Sequence, residues 1–167
     1  MIYISSYNSP LGKIFLAADG DNLCGLWLEG QTHFLSTLCA NTATVKDDLP
    51  VFKQTVKWLD IYFSGKEPDF TPPLNPQGTP FMKSVWDILL KIPYGKTTAY
   101  GQIAAEIAKQ KGIKRMSAQA VGGAVGHNPI SIIIPCHRVI GANGNLTGYA
   151  GGIDKKIKLL NLEKTVF

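Results

Sequence analysis

Apolar and polar residues alternate in short runs over the first thirty positions. Residues 2–7 (Ile-Tyr-Ile-Ser-Ser-Tyr), 13–18 and 23–28 (Leu-Cys-Gly-Leu-Trp-Leu) each read as a strand. Ser9-Pro10-Leu11-Gly12 and Asp19-Gly20-Asp21-Asn22 are turn sequences between them. A helix is expected near residues 31–39. A better one opens at Pro50 and runs to about Phe63, because Val56, Leu59, Tyr62 and Phe63 recur at helical spacing and Pro50 suits a first turn. Ser64-Gly65 stops it. These elements make a small α/β unit with no recognisable catalytic cluster.

Five prolines follow between Pro68 and Pro80, which reads as an extended linker. The pattern therefore divides the chain into residues 1–75 and 76–167. Beyond the linker the period is helical. Thr79-Pro80 is a cap followed by a first-turn proline, and Phe81, Val85, Ile88 and Leu89 form a stripe that ends at Ile92-Pro93-Tyr94-Gly95. A second helix is expected from near Thr98, with Ile103, Ala104 and Ile107 on one face and Gly112 closing it. A third spans Ser117 to Gly126, with Ser117 as cap. Two short helices joined by a turn suggest a helix-turn-helix. The run Ile132-Ile133-Ile134 reads as a buried strand, ended by Pro135, which has no N–H to donate. Gly141-Ala142-Asn143-Gly144 carries an Asn-Gly hairpin signal. Gly148-Tyr149-Ala150-Gly151-Gly152 is a loop, and a last helix places Ile153, Ile157 and Leu160 inward and ends near Glu163. A helix-turn-helix followed by a hairpin is the outline of a winged helix. The fold class expected is α+β: an antiparallel sheet with helices, then a mostly helical winged-helix-like domain.

The third helix is unusual in composition. Gly122, Gly123 and Gly126 each cost about 1 kcal/mol of helix stability relative to alanine. A face of alanine and glycine suits close approach, either by another helix or by a DNA backbone or groove.

Composition narrows the class. At 167 residues and 45% hydrophobic the chain can build a core, and no apolar run approaches the ~20 residues of a membrane helix. The N-terminus shows no signal-peptide pattern, so a cytoplasmic protein is expected. Three cysteines, Cys24, Cys39 and Cys136, argue against a disulfide framework. Cys24, His33 and Cys39 match no zinc spacing, so they are read as no metal site, with Cys24 in the core and Cys39 incidental. Charge is uneven. Residues 1–75 carry 5 Lys against 8 Asp/Glu, a net of −3, and residues 76–167 carry 12 Lys/Arg against 4, a net of +8. A basic second half suits a polyanionic partner, or simply a basic soluble surface.

The candidate chemistry lies in Pro135-Cys136-His137-Arg138. A cysteine among isoleucines is ordinarily a small buried hydrophobe, and a neighbouring histidine ordinarily has no chemical role. Adjacent strand residues face opposite ways, so joint action of Cys136 and His137 needs a turn, which Pro135 permits.

The surrounding motifs give the pair its meaning. Ile134-Pro-Cys-His-Arg-Val139, with Asn128-Pro129 before it and Gly148-Tyr-Ala-Gly-Gly152 after it, resembles the O6-alkylguanine-DNA alkyltransferase family. Ile92-Pro-Tyr-Gly-Lys-Thr97, Ala99-Tyr-Gly-Gln-Ile-Ala104 and Ala120-Val-Gly-Gly-Ala124 add to the resemblance, which is dense over residues 80–163 and mainly a matter of layout before them. It implies a ribonuclease-H-like first domain and a DNA-binding, alkyl-accepting second one. It implies single-turnover repair, with the alkyl group of O6-alkylguanine, or of O4-alkylthymine, moving from double-stranded DNA to Cys136. The protein would act as a monomer, without membrane or cofactor. Attack on an alkyl carbon calls for a thiolate, and an unperturbed thiol at neutral pH is only a few per cent ionised. The resemblance implies His137 as base, Glu163 as the carboxylate that orients it, Asn128 as the tie between active-site turns and Tyr100 as proton donor to the leaving guanine. The carbonyls of Cys136 and Val139 would accept from the exocyclic amine, Ala150 N–H would reach O6 and Tyr149 would cover the flipped base. Lys156 aligns with a family lysine of little weight.

The target atom lies inside a duplex, so the base must leave the stack. In the family the second helix of the helix-turn-helix enters the minor groove and inserts a side chain. That assigns Gln119, Ala120 and Gly123 to DNA contact, with Gln119 at the position where the family ordinarily has arginine. Two other readings of the residues compete: a Cys-His-Glu acyl-transfer enzyme, and a damaged-DNA-binding relative that does no chemistry.

Overall fold

The computed structural model describes residues 1–31, 43–146 and 148–165. The helix expected near residues 31–39, with His33 and Cys39, lies outside the described residues. The chain forms two compact units. The first comprises Met1–Gln77 together with Pro129–Ile133, and the second comprises Gly78–Asn128 and Ile134–Phe167. The N-terminal unit thus takes in a five-residue piece from far along the chain, which the boundary after residue 75 does not foresee.

In the first unit, strands β1 (Ile2–Ser9), β2 (Gly12–Ala18) and β3 (Leu23–Leu28) form an antiparallel meander. A short β4 (Ala43–Val45) adds parallel to β1, so the sheet order is β3-β2-β1-β4. Helix α1 (Pro50–Phe63) packs across β1, β2 and β3. Its inward face is Val51, Phe52, Thr55, Trp58, Leu59 and Tyr62, while Val56 and Phe63 are only half-buried. Every residue of β3 is buried, although β3 ends the sheet order. Two other segments cover its free edge. The proline-rich stretch is the first: Leu23 N–H donates to Pro73 O at 2.7 Å and Asn75 N–H donates to Leu23 O at 2.8 Å. The second is the piece around Ile130, which bridges to Leu26. An open strand edge leaves N–H and C=O groups without partners, and these segments supply them.

In the second unit, α2 (Pro80–Leu89), α3 (Tyr100–Lys111) and α4 (Ala118–Gly126) pack on one another. The caps are those the sequence signals. Thr79 Oγ1 accepts from Met82 N–H at 3.1 Å, and Ser117 Oγ accepts from Ala120 N–H at 3.2 Å. Gly112 closes α3 at φ 66°, where a side chain would be strained. Trp86 Nε1–H donates to Ala124 O at 2.8 Å and ties α2 to α4. Residues before α3 pair differently from expectation. β5 (Thr98–Ala99) lies parallel to β6 (Val139–Ile140), with Thr98 opposite Val139. Helix α5 (Ile153–Leu162) closes the chain.

Three segments depart from the structure their sequence pattern predicts. Ile132–Ile134 are buried but form a turn, with Ile132 at φ 69°. Gly141–Gly144 is a 3-10 turn with Asn143 at φ 62°, and among the described residues no strand pair flanks it, because β6 bonds to β5 instead. The inward face of α5 is Lys156, Leu159 and Leu160, whereas Ile153 is exposed and Ile157 half-buried.

Candidate active site

The approach to Cys136 is built from two tight turns. Ile133 N–H donates to Ser131 O at 2.8 Å, closing a three-residue turn over Ile132. A β-branched residue at positive φ costs on the order of 1–3 kcal/mol, so the surroundings must hold it. Cys136 N–H then donates to Ile134 O at 2.7 Å, closing a second such turn over Pro135, whose φ of −80° and ψ of 65° suit it without strain. Cys136–Arg138 continue as one 3-10 turn. This turn lifts the restriction that a strand would place on Cys136 and His137.

Glu163 sits one residue past α5 and is 3% exposed. Three donors converge on its carboxylate. His137 Nε2–H reaches Oε2 at 2.5 Å, Arg138 Nε–H reaches Oε1 at 2.8 Å, and Gly95 N–H reaches Oε1 at 3.1 Å. Arg138 also donates from Nη1 to Ile92 O at 2.8 Å and lies over the Tyr94 ring at 5.6 Å. The segment Ile92-Pro93-Tyr94-Gly95 is therefore more than a helix stop, since it holds the far side of the carboxylate. Gly95, at φ 77°, has room for no Cβ without crowding Glu163 O at 3.3 Å. Burial alone would raise the carboxyl pKa, but the His137 and Arg138 hydrogen bonds and charges pull it down to about 2. Burial pushes His137 below its ordinary value, and Glu163 opposes that shift without cancelling it. At neutral pH the pair is a carboxylate beside a neutral imidazole, with Nδ1 the nitrogen Glu163 does not engage.

Cys136 is buried, and burial raises its thiol. Opposing influences come first from the Asn128 side chain and then from the positive charge of Lys156. Asn128 Nδ2–H also donates to Ile134 O at 2.8 Å. Lys156, weighted little on sequence, is a fully buried cation on α5. Its Nζ donates to Val139 O at 2.6 Å and to Gly148 O at 3.4 Å, and burial lowers its pKa. Sequence reading gave Arg138 no role of its own and did not single out Gly95 or Ile92 for the site. Gly95 and Ile92 act through backbone atoms, for which side-chain type is a poor signal, whereas Arg138 acts through its guanidinium.

Of the other predicted residues, Val139 is buried in β6, and its N–H donates to Cys136 O. Both carbonyls expected to meet guanine thus already accept one bond, and each oxygen has a second lone pair. Tyr100 opens α3 directly after β5, half-buried, with its ring 3.9 Å from where a Cβ on Gly122 would lie. Tyr149 and Ala150 are half-buried in the loop before α5. Gln119, Ala120 and Gly123 are exposed together on α4, opposite buried Val121, Ala124 and Val125. Among the described residues no group of three His, Cys, Asp or Glu could hold a metal ion, and Cys24 is a core thiol pushed up to about 11 by burial.

Two family models account for nearly the whole chain: the DNA-binding domain of 6-O-methylguanine DNA methyltransferase over residues 80–165, and its ribonuclease-like domain over residues 2–76. The chain belongs to the 6-O-methylguanine DNA methyltransferase family. Among family relatives, the methylated-DNA–protein-cysteine methyltransferase of Mycobacterium bovis is 44% identical over 165 residues, which is 99% of this chain and 94% of that protein. The Methanosarcina acetivorans protein of the same name is 42% identical over 97% of this chain and 98% of its own. The crystal structure of Mycobacterium tuberculosis OGT in complex with DNA superposes with a TM-score of 0.82 at 44% identity, covering 97% of this chain and 92% of that one. The family's two-domain α+β architecture is thus the architecture of this chain.

Proposed function

We propose that Cys136 is the alkyl acceptor of a DNA-repair methyltransferase that reverses O6-alkylguanine damage in a single turnover. Family membership over the full chain supports the reaction class, and relatives named as methylated-DNA–protein-cysteine methyltransferases support transfer to a cysteine. The observation that carries the assignment is the sequence-adjacent Cys136 and His137 on one 3-10 turn, with His137 Nε2 bound to a buried, ionised Glu163.

The chemistry follows from this arrangement. The resting thiol is protonated, since burial raises it. His137 takes the proton through Nδ1, and Glu163 stabilises the imidazolium that results. The family resemblance places a water between sulfur and imidazole. The thiolate attacks the alkyl carbon in line with O6. The C–S bond forms as the C–O6 bond breaks, and the electron pair leaves with guanine, which takes a proton from the Tyr100 hydroxyl. Lys156 keeps positive charge near the sulfur and fixes the Val139 carbonyl, one of the two acceptors for the guanine exocyclic amine. Asn128 holds the turn and favours the thiolate. Tyr149 and the Ala150 N–H complete the base pocket. Gln119, Ala120 and Gly123 form the α4 surface that enters the minor groove and supports base flipping, the insertion falling to Gln119. O4-alkylthymine presents a similar alkyl–oxygen bond and is a second substrate. The protein works where chromosomal DNA is, in the cytoplasm, or in the nucleus where the cell has one. No helix among the described residues is long and apolar enough to cross a membrane.

Incubation with duplex DNA containing O6-methylguanine, followed by peptide mass spectrometry, is expected to find one methyl group per molecule on Cys136 and restored guanine in the DNA. Cys136→Ser should leave the lesion intact. Continued turnover beyond one lesion per protein, or repair by Cys136→Ser, contradicts the assignment. Turnover of an ester would favour acyl transfer instead.

A further inference from the structure

The piece Pro129–Ile133 lies in the chain between Asn128 and Ile134 but folds with the N-terminal unit. Its backbone completes the edge of β3. Leu26 N–H donates to Pro129 O at 2.8 Å, and Ser131 N–H donates to Leu26 O at 2.9 Å. The chain then turns away at Ile132, so the ladder cannot reach Leu28. A side chain takes over there. Gln31 Oε1 accepts from Leu28 N–H at 3.0 Å and from Ser131 Oγ–H at 3.1 Å, while Gln31 N–H donates to Leu28 O at 3.0 Å. Gln31 is 5% exposed and Ser131 1% exposed, so water cannot easily replace either bond.

The two ends of this piece matter for the chemistry. Asn128 Nδ2–H donates to Ile134 O and so closes residues 128–134 into a ring. The interior of that ring is fixed by β3 and Gln31, and its closing residue is the one whose side chain favours ionisation of Cys136. The ring also contains Ile132 at positive φ, a conformation that persists only where its surroundings hold it.

We propose that Gln31 and Ser131 are positioning residues for alkyl transfer, clasping the 129–133 turn to β3 so that Asn128 keeps its hold on Ile134 and Cys136. The inference rests on Cys136 as acceptor and gives the N-terminal unit a part in the acidity of that thiol.

The test is the pH dependence of Cys136 alkylation by iodoacetamide in the full-length chain, read by peptide mass spectrometry so that Cys24 and Cys39 are counted separately. Ser131→Ala is expected to move the profile upward by about half a pH unit, which is about threefold slower reaction at neutral pH and convergence at alkaline pH. Gln31→Met should move it the same way, and the double variant no further than Gln31→Met alone. Leu16→Val, in the core of the same unit, should lower the melting temperature and leave the profile in place. A Ser131→Ala protein with a lowered melting temperature but an unmoved profile overturns the clasp, as does an equal shift from Leu16→Val. Should Gln31→Met not fold, Ser131→Ala decides alone. Iodoacetamide needs no DNA, so failure of the wild-type protein to take a methyl group from damaged duplex would overturn the acceptor assignment and leave the clasp measurable.

Discussion

Glu163 joins a contribution to stability to the role proposed for it in reactivity. Its carboxylate accepts from His137, Arg138 and Gly95 and is drawn down to about 2 from an ordinary value of 4.5. A carboxyl depressed by folding stabilises the native state above its unfolded pKa, and that contribution is lost as pH falls through the folded one. Here the window runs from 4.5 down to about 2, and the contribution is about 3 kcal/mol. Denaturant titrations across that window should show the wild-type protein losing stability steeply with acid. Glu163→Gln should be less stable at neutral pH and nearly flat over the same range. The same substitution removes the counter-charge of the imidazolium, so alkyl transfer should slow by about 10²-fold at neutral pH, measured in single-turnover assays. An unaltered rate would leave Glu163 a structural residue only. At this scale side-chain type marked Cys136 and His137 as candidates, and the family resemblance supplied the roles proposed for them. Glu163 needed the family resemblance, because a carboxylate at a helix end is ordinarily solvated. Lys156 was underweighted because its partners are backbone carbonyls, which no motif displays.

Element α4 concentrates the DNA-facing expectation. Its buried side is Val121, Ala124 and Val125, which leaves Gln119, Ala120 and Gly123 as a low, small-residue face. Gln119 is the one long side chain of these three, and it can fill space and hydrogen-bond but brings no charge. Gln119→Arg is therefore expected to raise the rate on O6-methylguanine in duplex DNA more than the rate on free O6-alkylguanine base. Equal gains on both substrates would remove flipping as the explanation. Helix existence was readable for α1 to α5 from periodicity, with Pro50 and Pro80 marking first turns, and capping for α2, α3 and α4 from Thr79, Gly112 and Ser117. Helix faces were less so. Sequence placed Ile153 and Ile157 of α5 inward, whereas Lys156 takes that place, its cation offset by two carbonyls rather than by hydrophobicity. The isoleucine run exposes the same limit from the other side. Apolar character gave the burial of Ile132–Ile134 correctly, but burial does not distinguish a strand from a turn held by its neighbours. Parallel pairing of β5 with β6 joins segments forty residues apart and leaves no local signal.

Across the whole molecule, charge is the property that most shapes encounter with DNA. Of the 12 Lys/Arg in residues 76–167, only Arg138 and Lys156 are buried, so the basic excess of this half is nearly all solvent-facing. Lys109, Lys111, Lys114 and Arg115 cluster at the end of α3 and in the turn that leads to Ser117, and all four are exposed. A helix-turn-helix that lays α4 in a groove brings this turn close to the phosphates, where each cation that meets one releases a condensed counterion. Affinity for undamaged duplex should therefore fall steeply with salt. Lys114→Ala and Arg115→Ala should each weaken binding almost regardless of sequence and reduce the log–log salt slope by about 1. Neutralising Lys53 and Lys57 on α1, in the acidic half, should leave the slope unchanged. Fluorescence anisotropy of a labelled duplex over a salt series checks both. Because the binding energy in this scheme resides in phosphates, the rate of methyl transfer at saturating DNA should survive the Lys114 and Arg115 substitutions while the half-saturating DNA concentration rises. A fall in the saturated rate would instead place these cations in the flipping step. Equal slopes from the α1 lysines would mean that the uneven charge along the chain does not decide which surface the DNA meets.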